Sequence, residues 1–247
     1  MDLSNARAII TGGASGLGAA TAQHFRQQGA QVTILDRDEA GQAAADAIGA
    51  HFGRTDVTDE TSVAAAIALA VERMGGIDIC VNCAGVATAG KTIGRDGPLA
   101  LDSFRRVIEI NLIGSFNVLR LAAAEMAKNG REENGVIVNT ASVAAFDGQA
   151  GQAAYAASKA AIAGMTLPIA RDLARNNIRI CAIAPGIFGT PMLRGLPQEV
   201  QDSLAAEVTN PKRLGDPAEY ARLAAFIVEN GYMNGETIRI DGALRMR

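Results

Sequence analysis

Short apolar runs alternate with longer segments of helical periodicity along the chain. Runs rich in β-branched residues predict strands that are covered on both faces. These strands are predicted at residues 6–11, 31–36, 77–82, 135–141, 178–185 and 236–241, with a weaker one near 51–54. Helices are predicted between them at residues 16–28, 38–48, 59–74, 101–128, 152–175 and 217–229. This alternation predicts right-handed crossovers and one doubly wound parallel α/β sheet of about seven strands, a Rossmann fold with helices on both faces.

Three features interrupt this alternation, and we expect residues 1–247 to form a single domain around them. Residues 86–100 form a loop rich in Gly and Thr. Residues 187–213 hold three prolines around a short helical stretch, which is typical of a substrate lid. Pro168 lies inside the helix predicted at 152–175 and should kink that helix or end its first segment.

Composition and charge narrow the class of protein. The chain is 49% hydrophobic and 20% charged, as in ordinary globular proteins. The formal net charge is −3, and no basic stripe interleaved with aromatic residues is visible, so we expect no nucleic-acid partner. No uninterrupted apolar run approaches the ~20 residues needed to span a bilayer. A strand near the N-terminus leaves no room for a targeting peptide, and the sequence therefore predicts a cytoplasmic enzyme without a membrane partner.

The cysteines and histidines predict neither a disulfide framework nor a metal site. Cys80 and Cys83 have the spacing of a redox motif. The segment IDICVNCAG that holds them is typical of a buried strand, however, where residues three apart face opposite sides, so packing is the favoured interpretation. His24 and His51 lie far apart and have no ligand spacing around them.

A glycine-rich segment follows the first predicted strand and opens a helix. Glycine allows a positive φ and a close approach of backbone to a ligand. The N-terminus of a helix offers free N–H groups and a positive dipole end, which suit a pyrophosphate. The spacing is G-x-x-x-G-x-G, and its position after the first strand predicts a dinucleotide site. The residues expected to bind are Gly12, Ser15, Gly16, Leu17 and Gly18.

Asp36 ends the second predicted strand, where an acidic residue can bind the adenosine ribose. A carboxylate there accepts hydrogen bonds from the 2′- and 3′-hydroxyls and repels a 2′-phosphate. The sequence therefore favours NAD over NADP. Arg37 argues for the opposite preference, since its guanidinium could pair with that phosphate.

Further candidate cofactor contacts follow the carboxyl ends of the other strands, where ligands bind in such sheets. Asp56 is expected to meet the adenine edge, and small residues after the fourth strand leave room for the nucleoside. A third group is expected near the nicotinamide. These residues are Asp56 and Val57, then Cys83, Ala84 and Gly85, then Pro185, Phe188 and Thr190.

Tyr155 and Lys159 lie four residues apart in an Ala-rich segment predicted to be helical, so their side chains share one face. Ser142 precedes them, just past the fifth strand. The spacing of Tyr and Lys is common by chance, and two surface residues are the alternative interpretation. The other motifs in the chain give it weight.

Taken together, these motifs resemble those of the short-chain dehydrogenase/reductase family. They span most of the chain in the order expected for that family. The matching features are TGGASGLG at 11–18, Asp36, Asp56-Val57, NCAG at 82–85, Asn111, Ser142, YAASK at 155–159 and PGIFGT at 185–190. From about residue 6 onward the chain is most similar to the type II 3-hydroxyacyl-CoA dehydrogenases, a group that also includes enzymes oxidising hydroxysteroids.

The resemblance implies a hydride transfer between NAD and a secondary alcohol or ketone, with (S)-3-hydroxyacyl-CoA and 3-oxoacyl-CoA as the expected pair. It implies that Tyr155 is the acid/base. Lys159, with the cationic nicotinamide, would favour the phenolate and would also bind the nicotinamide ribose. Ser142 would orient the substrate oxygen. By analogy, the side chain of Asn111 would hold a water that connects Lys159 to solvent.

The substrate pocket is expected around Ser142, Gln152 and Tyr155, with Gln149 nearby. Its apolar wall is expected to include Phe146, Leu193 and Leu196. Basic side chains in the two loops near the mouth could meet the phosphates of coenzyme A, with solvated surface charge as the alternative. These are Lys91, Arg95, Arg194, Lys212 and Arg213.

Two other functions stay open on the sequence. One is an NAD-dependent dehydrogenase for a hydroxysteroid or another secondary alcohol. The other is an NAD-binding sensor or assembly subunit without turnover, although such a module has no need for Ser142, Tyr155 and Lys159 together.

The predicted helix at 152–175 is small and apolar nearly all round. A helix of that kind is buried on every side, and the sheet and the active site cannot cover all of it. We therefore expect a homo-oligomer, with a tetramer as the expected form.

Overall fold

The computed structural model describes residues 1–195 and 197–246. Within these residues, seven strands form a parallel sheet in the order β3-β2-β1-β4-β7-β8-β9. A separate two-stranded antiparallel hairpin pairs β5 with β6. The strands are β1 (Arg7–Thr11), β2 (Gln31–Asp36), β3 (His51–Arg54), β4 (Ile79–Asn82), β5 (Ile93–Gly94), β6 (Gly97–Pro98), β7 (Gly135–Thr140), β8 (Ile178–Pro185) and β9 (Thr237–Ile240).

Helices cover both faces of the sheet, which confirms the predicted fold class. They are α1 (Gly16–Gln27), α2 (Ala40–Ile48), α3 (Glu60–Met74), α4 (Leu101–Ile108), α5 (Gly114–Met126), α6 (Ala153–Leu173), α7 (Pro191–Arg194), α8 (Gln198–Glu207) and α9 (Pro217–Glu229). Strand order reverses at β1, whose neighbours are β2 and β4. A crevice for ligands is expected at the carboxyl ends of the strands around this point.

The core lies in two layers, one on each face of the sheet. Neighbouring residues of a strand alternate between them: Ile10 packs in one layer and Ile9 in the other. Both side chains are fully buried. Because strands with two covered faces need apolar residues at every position, this packing explains the continuous apolar runs of the sequence.

The helix predicted at 101–128 is not a continuous α-helix. A π-helical turn at Glu109–Ile113 separates α4 from α5. The hydroxyl of Ser115 donates a hydrogen bond to the carbonyl of Asn111 at 2.7 Å. The side chain of Asn111 is fully buried and bonds outside its own helix. The wider turn accommodates these contacts, and such turns are common at functional sites.

Pro168 does not end its helix, and this part of the sequence prediction was wrong. Helix α6 runs unbroken through it to Leu173, and a short 3-10 turn follows. A proline inside a helix costs about 3 kcal/mol through the lost hydrogen bond and a clash with the preceding turn. Here the following residues, Ile169 and Ala170, are buried in the core. Tertiary packing therefore holds the helical path beyond the proline.

One helical stretch of the described chain, Leu101–Met126, is long and apolar enough to cross a membrane by length and composition alone. Half of its apolar window is buried inside the fold. Val118 and Leu119 belong to the core layer beneath the sheet. The stretch therefore has the packing of a core helix.

The predicted lid segment at 187–213 contains α7 and α8. The loop predicted at 86–100 contains the β5–β6 hairpin. A hydrogen bond from the N–H of Gly90 to the carbonyl of Gly151, at 2.8 Å, ties this loop to the turn before α6. The loop thus lies beside the segment that leads to Tyr155.

Candidate active site

The glycine-rich segment after β1 forms a cradle that only glycine can build. Gly12 has a φ of +64°, and a Cβ there would lie 2.8 Å from the backbone nitrogen of Ala84. A Cβ on Gly18 would lie 2.3 Å from the carbonyl oxygen of Gly12. Gly16 has a φ of +57°, next to Thr190. The backbone of this loop is therefore packed against β4 and against α1 without room for side chains.

The start of helix α1 presents free N–H groups at this cradle. Ser15 is the N-cap residue, and its side chain makes no capping hydrogen bond. The first turn of α1 has no acidic residue. Leu17 turns inward and packs against the core. A helix start of this kind fits a phosphate, so the residues present fit the pyrophosphate of a dinucleotide.

Asp36 lies where the sequence predicted it, at the end of β2 and against the cradle. One carboxylate oxygen accepts a hydrogen bond from the N–H of Ala14 at 3.0 Å, and the other accepts one from Asp38 at 3.0 Å. These bonds orient the carboxylate, and each oxygen keeps a further lone pair for a ligand hydroxyl.

Asp56 and Val57 follow β3. The carboxylate of Asp56 accepts two hydrogen bonds from Thr58, at 3.0 and 2.7 Å, which lower its pKa. The side chain of Val57 is buried, and its carbonyl accepts a hydrogen bond from Asn117 at 3.0 Å. Asp56 is half-buried at the strand end, in the place expected for an adenine contact.

The segment after β4 is held to the end of β1 by Thr11, whose carbonyl accepts a hydrogen bond from the N–H of Cys83 at 3.2 Å. Oγ1 of Thr11 accepts hydrogen bonds from the N–H groups of Cys83 and Ala84, each at 3.1 Å. A Cβ on Gly85 would lie 3.1 Å from Oδ1 of Asn111 and 3.7 Å from Nζ of Lys159. This segment thus lies between the cradle and the side chains of Asn111 and Lys159.

The residues after β8 divide into buried and accessible parts. Pro185 is buried at the strand end. The ring of Phe188 packs in the core, where a Cβ on Gly215 would lie 2.8 Å from it. Only the main chain of Phe188 is left to face a cofactor, because the ring itself is structural. Thr190 is half-buried and lies next to Gly16.

Ser142, Tyr155 and Lys159 come together as the sequence predicted. Ser142 caps the short turn after β7, and its hydroxyl oxygen accepts a hydrogen bond from Ala144 at 3.1 Å. The hydroxyl of Ser142 also interacts with Tyr155, and this interaction lowers the pKa of the phenol. Nζ of Lys159 lies 5.8 Å from the centre of the Tyr155 ring. A phenol, a hydroxyl and an ammonium therefore share one small volume.

The ammonium of Lys159 is almost fully buried and donates a hydrogen bond to the carbonyl of Thr140 at 2.7 Å. Burial lowers the pKa of Lys159 to about 8, because a charged ammonium loses its hydration. Cys83 is the other titratable group whose charge acts on Lys159.

The pKa of Tyr155 differs from the sequence prediction. We expected Lys159 to favour the phenolate, but burial raises the pKa of Tyr155 above its ordinary value, with the hydrogen bond from Ser142 acting in the opposite direction. The reason is geometric: the ammonium is directed at the carbonyl of Thr140 and not at the phenol oxygen. In this state the protein holds Tyr155 as a neutral phenol.

Asn111 lies inside the site, and its contacts differ from those the family analogy suggested. Its Oδ1 accepts a hydrogen bond from the N–H of Val86 at 2.8 Å. Its Nδ2 donates to the carbonyl of Val86 at 2.9 Å and to Oγ of Ser158 at 3.0 Å. Both N–H donors are thus used to hold protein groups. The amide of Asn111 holds the loop after β4 to helix α6. Its connection to a water stays a prediction.

The residues predicted to contact the substrate lie mainly in the turn before α6. Gln152 is half-buried and precedes the first residue of the helix. Its side chain and that of Gln149 approach each other at 3.4 Å. Phe146 is 53% exposed and available to an apolar substrate. Leu193 is half-buried in α7, and Leu196 lies outside the described residues.

Sequence reasoning missed two residues that organise the site. Thr140 supplies the carbonyl that receives Lys159. Ser158 connects Asn111 to the catalytic helix, because its hydroxyl donates to the carbonyl of Tyr155 at 2.7 Å. Thr140 is the last residue of β7, two residues before Ser142, and Ser158 directly precedes Lys159. Their closeness in sequence to these predicted residues was the signal that could have found them.

We predict that Gly18→Ala weakens dinucleotide binding more than tenfold, since the new methyl group must push the carbonyl of Gly12 out of the cradle. Titration with NADH, followed by fluorescence, measures the dissociation constant. Gly164→Ala is the matched control, because a Cβ at that helical position meets no atom within 4 Å. Equal affinities of the two variants would contradict the cradle.

Comparisons with known proteins agree with this geometry. A family model described as enoyl-(acyl carrier protein) reductase matches residues 12–244. The chain is 54% identical to the 3-hydroxyacyl-CoA dehydrogenase type-2 of Homo sapiens over 97% of this chain and 95% of the relative. It is 54% identical to the protein of that name from Drosophila melanogaster over 99% of both chains. A crystal structure of 3-hydroxyacyl-CoA dehydrogenase type-2 from Mycobacterium avium superposes with a TM-score of 0.94 at 43% identity, covering 98% of this chain and 97% of that one. The chain belongs to the short-chain dehydrogenase/reductase family.

Proposed function

We propose that the protein interconverts (S)-3-hydroxyacyl-CoA and 3-oxoacyl-CoA with NAD as the cofactor. The concentrations of the reactants set the direction. The observation that carries the proposal is the meeting of Tyr155, Ser142 and Lys159 beside the glycine cradle. The names of the similar proteins support the substrate class. Family membership supports a nicotinamide cofactor.

The catalytic side chains divide the chemistry between them. Ser142 donates a hydrogen bond to the substrate oxygen and so orients the carbon that reacts. Tyr155 takes the alcohol proton during oxidation and returns it during reduction. When bound, the nicotinamide accepts or delivers the hydride. Because burial keeps Tyr155 neutral, its phenol is ready to donate a proton to a ketone.

Lys159 serves as the charged partner of this proton transfer. Its pKa of about 8 means that the ammonium form prevails below that pH and the neutral form above it. The ammonium stabilises a developing phenolate. At higher pH Lys159 loses its charge and no longer stabilises the phenolate. This loss opposes the gain in oxidation rate that a deprotonated base otherwise brings at high pH.

The preference for NAD rests on the carboxylate of Asp36. It points at the cradle through its bond to Ala14 and keeps lone pairs for ribose hydroxyls. Arg37, the counter-argument in the sequence, lies near Asp56 and lowers the pKa of that carboxyl. An arginine that already interacts with a carboxylate is less available to a 2′-phosphate.

Of the two segments expected to meet coenzyme A phosphates, the loop at 86–100 supports acyl-CoA specificity better than the lid at 187–213. Lys91 and Arg95 are exposed on the loop that contacts Gly151, beside the catalytic helix. In the lid, Arg213 is held by two hydrogen bonds to Glu219, each at 2.8 Å. Nε of Arg194 donates to the carbonyl of Gly189 at 2.9 Å. The loop at 86–100 is therefore the better place for coenzyme A phosphates.

We predict that Tyr155→Phe reduces turnover of acetoacetyl-CoA with NADH by at least about a hundredfold, since loss of a general acid typically costs 10²–10⁴-fold, while NADH still binds. NADH absorbance follows turnover. Tyr232→Phe is the control, because that side chain is 100% exposed.

The same assay distinguishes the competing functions. Wild-type activity on acetoacetyl-CoA that falls at high salt supports a phosphate-bearing substrate. Activity only on hydroxysteroids or simple secondary alcohols would replace the acyl-CoA proposal. Binding of NADH without turnover of any substrate would replace it with a sensor or assembly subunit.

We predict that Asp36→Ala weakens NADH binding about tenfold or more, through the loss of charge-assisted hydrogen bonds to the ribose. NADPH binding should be weakened less or improved, because a repulsive charge is removed. Fluorescence titrations with both cofactors check this. Asp38→Ala, an exposed carboxylate two residues away, is the control. An unchanged NADH affinity would remove Asp36 from the site.

The proposal includes a homo-oligomer, with a tetramer as the expected form, working in the cytoplasm. Ala153, Ala157 and Ala160 form an exposed stripe along α6. Helix α4 packs beside α6, and next to it Ile113 at the end of the π-helical turn and Phe116 in α5 are each 45% exposed. Apolar residues on neighbouring helices make one surface, and a second copy of the chain would cover it.

Sedimentation at micromolar concentration is expected to show an oligomer. Phe116→Arg should shift it toward smaller species, because a charge would be buried between copies. Ile93→Arg, on the exposed hairpin, is the control. A monomeric wild type would contradict the oligomer.

A further inference from the structure

Tyr220 is a fully buried tyrosine on α9, remote in sequence from the catalytic residues. Its phenol oxygen lies 2.7 Å from Oγ1 of Thr140 and 3.7 Å from Sγ of Cys83. Thr140 is the last residue of β7, and its carbonyl accepts the hydrogen bond from Lys159. Only one residue therefore separates this tyrosine from the catalytic ammonium.

The direction of the hydrogen bonds follows from their acceptors. Oγ1 of Thr140 lies 2.6 Å from the carbonyl oxygen of Asn82, and a carbonyl can only accept. The hydroxyl has one hydrogen, and the carbonyl at 2.6 Å outcompetes the sulfur of Cys83 at 3.6 Å. Tyr220 must then be the donor to Thr140.

The remaining contact closes a ring. With its hydrogen given to Thr140, the oxygen of Tyr220 is left to accept from the thiol of Cys83. Burial raises the pKa of both Cys83 and Tyr220, so both stay protonated. Cys83 donates to Tyr220, Tyr220 donates to Thr140, and Thr140 donates to the carbonyl of Asn82. That carbonyl belongs to the peptide bond between Asn82 and Cys83, so the series of bonds returns to its start. A closed ring of this kind fixes the orientation of every member.

We propose that Tyr220 is a positioning residue for the proton path: its phenol fixes Thr140, and the carbonyl of Thr140 fixes the ammonium of Lys159. The ring joins the ends of β4 and β7 to α9. The assignment of Lys159 to the proton path rests on the proposed function, whereas the link from Tyr220 to Lys159 rests on the geometry alone.

The groups that can act on Lys159 are few among the described residues. Tyr155 lies on its own helix, and Cys83 lies at the end of β4. Tyr220 on α9 is one hydrogen bond further away, through Thr140. A change in the titration of Lys159 after substitution of Tyr220 is therefore transmitted by Thr140 or Cys83.

The test is an NMR titration of the protein carrying ¹³C at the ε-carbon of lysine. The chain has four lysines, Lys91, Lys128, Lys159 and Lys212, so the spectrum is simple, and Lys159→Arg assigns the signal of interest. In the wild type this signal should titrate near pH 8. In Tyr220→Phe we expect its pKa to fall by about half a unit, because a loosened carbonyl stabilises the ammonium less.

Two further variants keep the result interpretable. Thr140→Val removes the same link from the other end and should lower the pKa of Lys159 similarly, with little further change in the double variant. Thr33→Val removes another fully buried hydroxyl, which lies in β2 and contacts the sulfur of Met74. It should leave the titration of Lys159 unchanged. Lys159 titration that is unmoved in Tyr220→Phe and Thr140→Val, or moved equally by Thr33→Val, overturns the proposal.

Kinetics separate this inference from the proposed function. With acyl-CoA turnover established for the wild type, Tyr220→Phe should lower kcat roughly three- to tenfold and move the acid limb of oxidation to higher pH. A loss of thermal stability with an unmoved pH profile would mark Tyr220 as merely structural. A wild type without turnover would defeat the proposed function, and the lysine titration would still decide the role of Tyr220.

Discussion

The site depends on hydrogen bonds that join the carboxyl ends of β1, β4 and β7. Thr11 holds the main chain of Cys83 and Ala84. Nδ2 of Asn82 donates to Oδ1 of Asn139 at 2.9 Å. The N–H of Cys83 also bonds the carbonyl of Thr11 at 3.2 Å, so side chains add to the main-chain bonds where the strands end. The cradle for the dinucleotide and the carbonyl that receives Lys159 are two sides of this one bonded edge.

Burial and charge oppose each other within the catalytic group. Removing Tyr155 from water favours the neutral phenol, and removing Lys159 from water weakens the ammonium. The protein offsets part of this cost by giving each group one directed partner, the hydroxyl of Ser142 and the carbonyl of Thr140. Burial thus acts in the same sense on both side chains, because it favours the neutral form of each.

The sequence was sufficient for the fold class and for the proximity of Tyr155 and Lys159. Strand positions follow from local apolar runs, and Tyr155 and Lys159 meet because helical spacing places them on one face. What failed depends on tertiary contacts. Pro168 is carried through α6 by packing of the residues beyond it, and the pKa of Tyr155 depends on burial that no spacing reveals. Tyr220 reaches Thr140 because α9 packs on the sheet, which no local pattern indicates.

The π-helical turn at Glu109–Ile113 has a consequence for how the two helices around it evolve. One extra residue in the turn offsets the face of α4 from that of α5 by about 100°, the rotation per residue of an α-helix. The polar atoms of Asn111 can thus point into the fold while the surfaces before and after the turn follow separate periodicities. Substitutions on the outer surface of α5 therefore need no matching substitutions on α4, while Asn111 between the two helices stays in place.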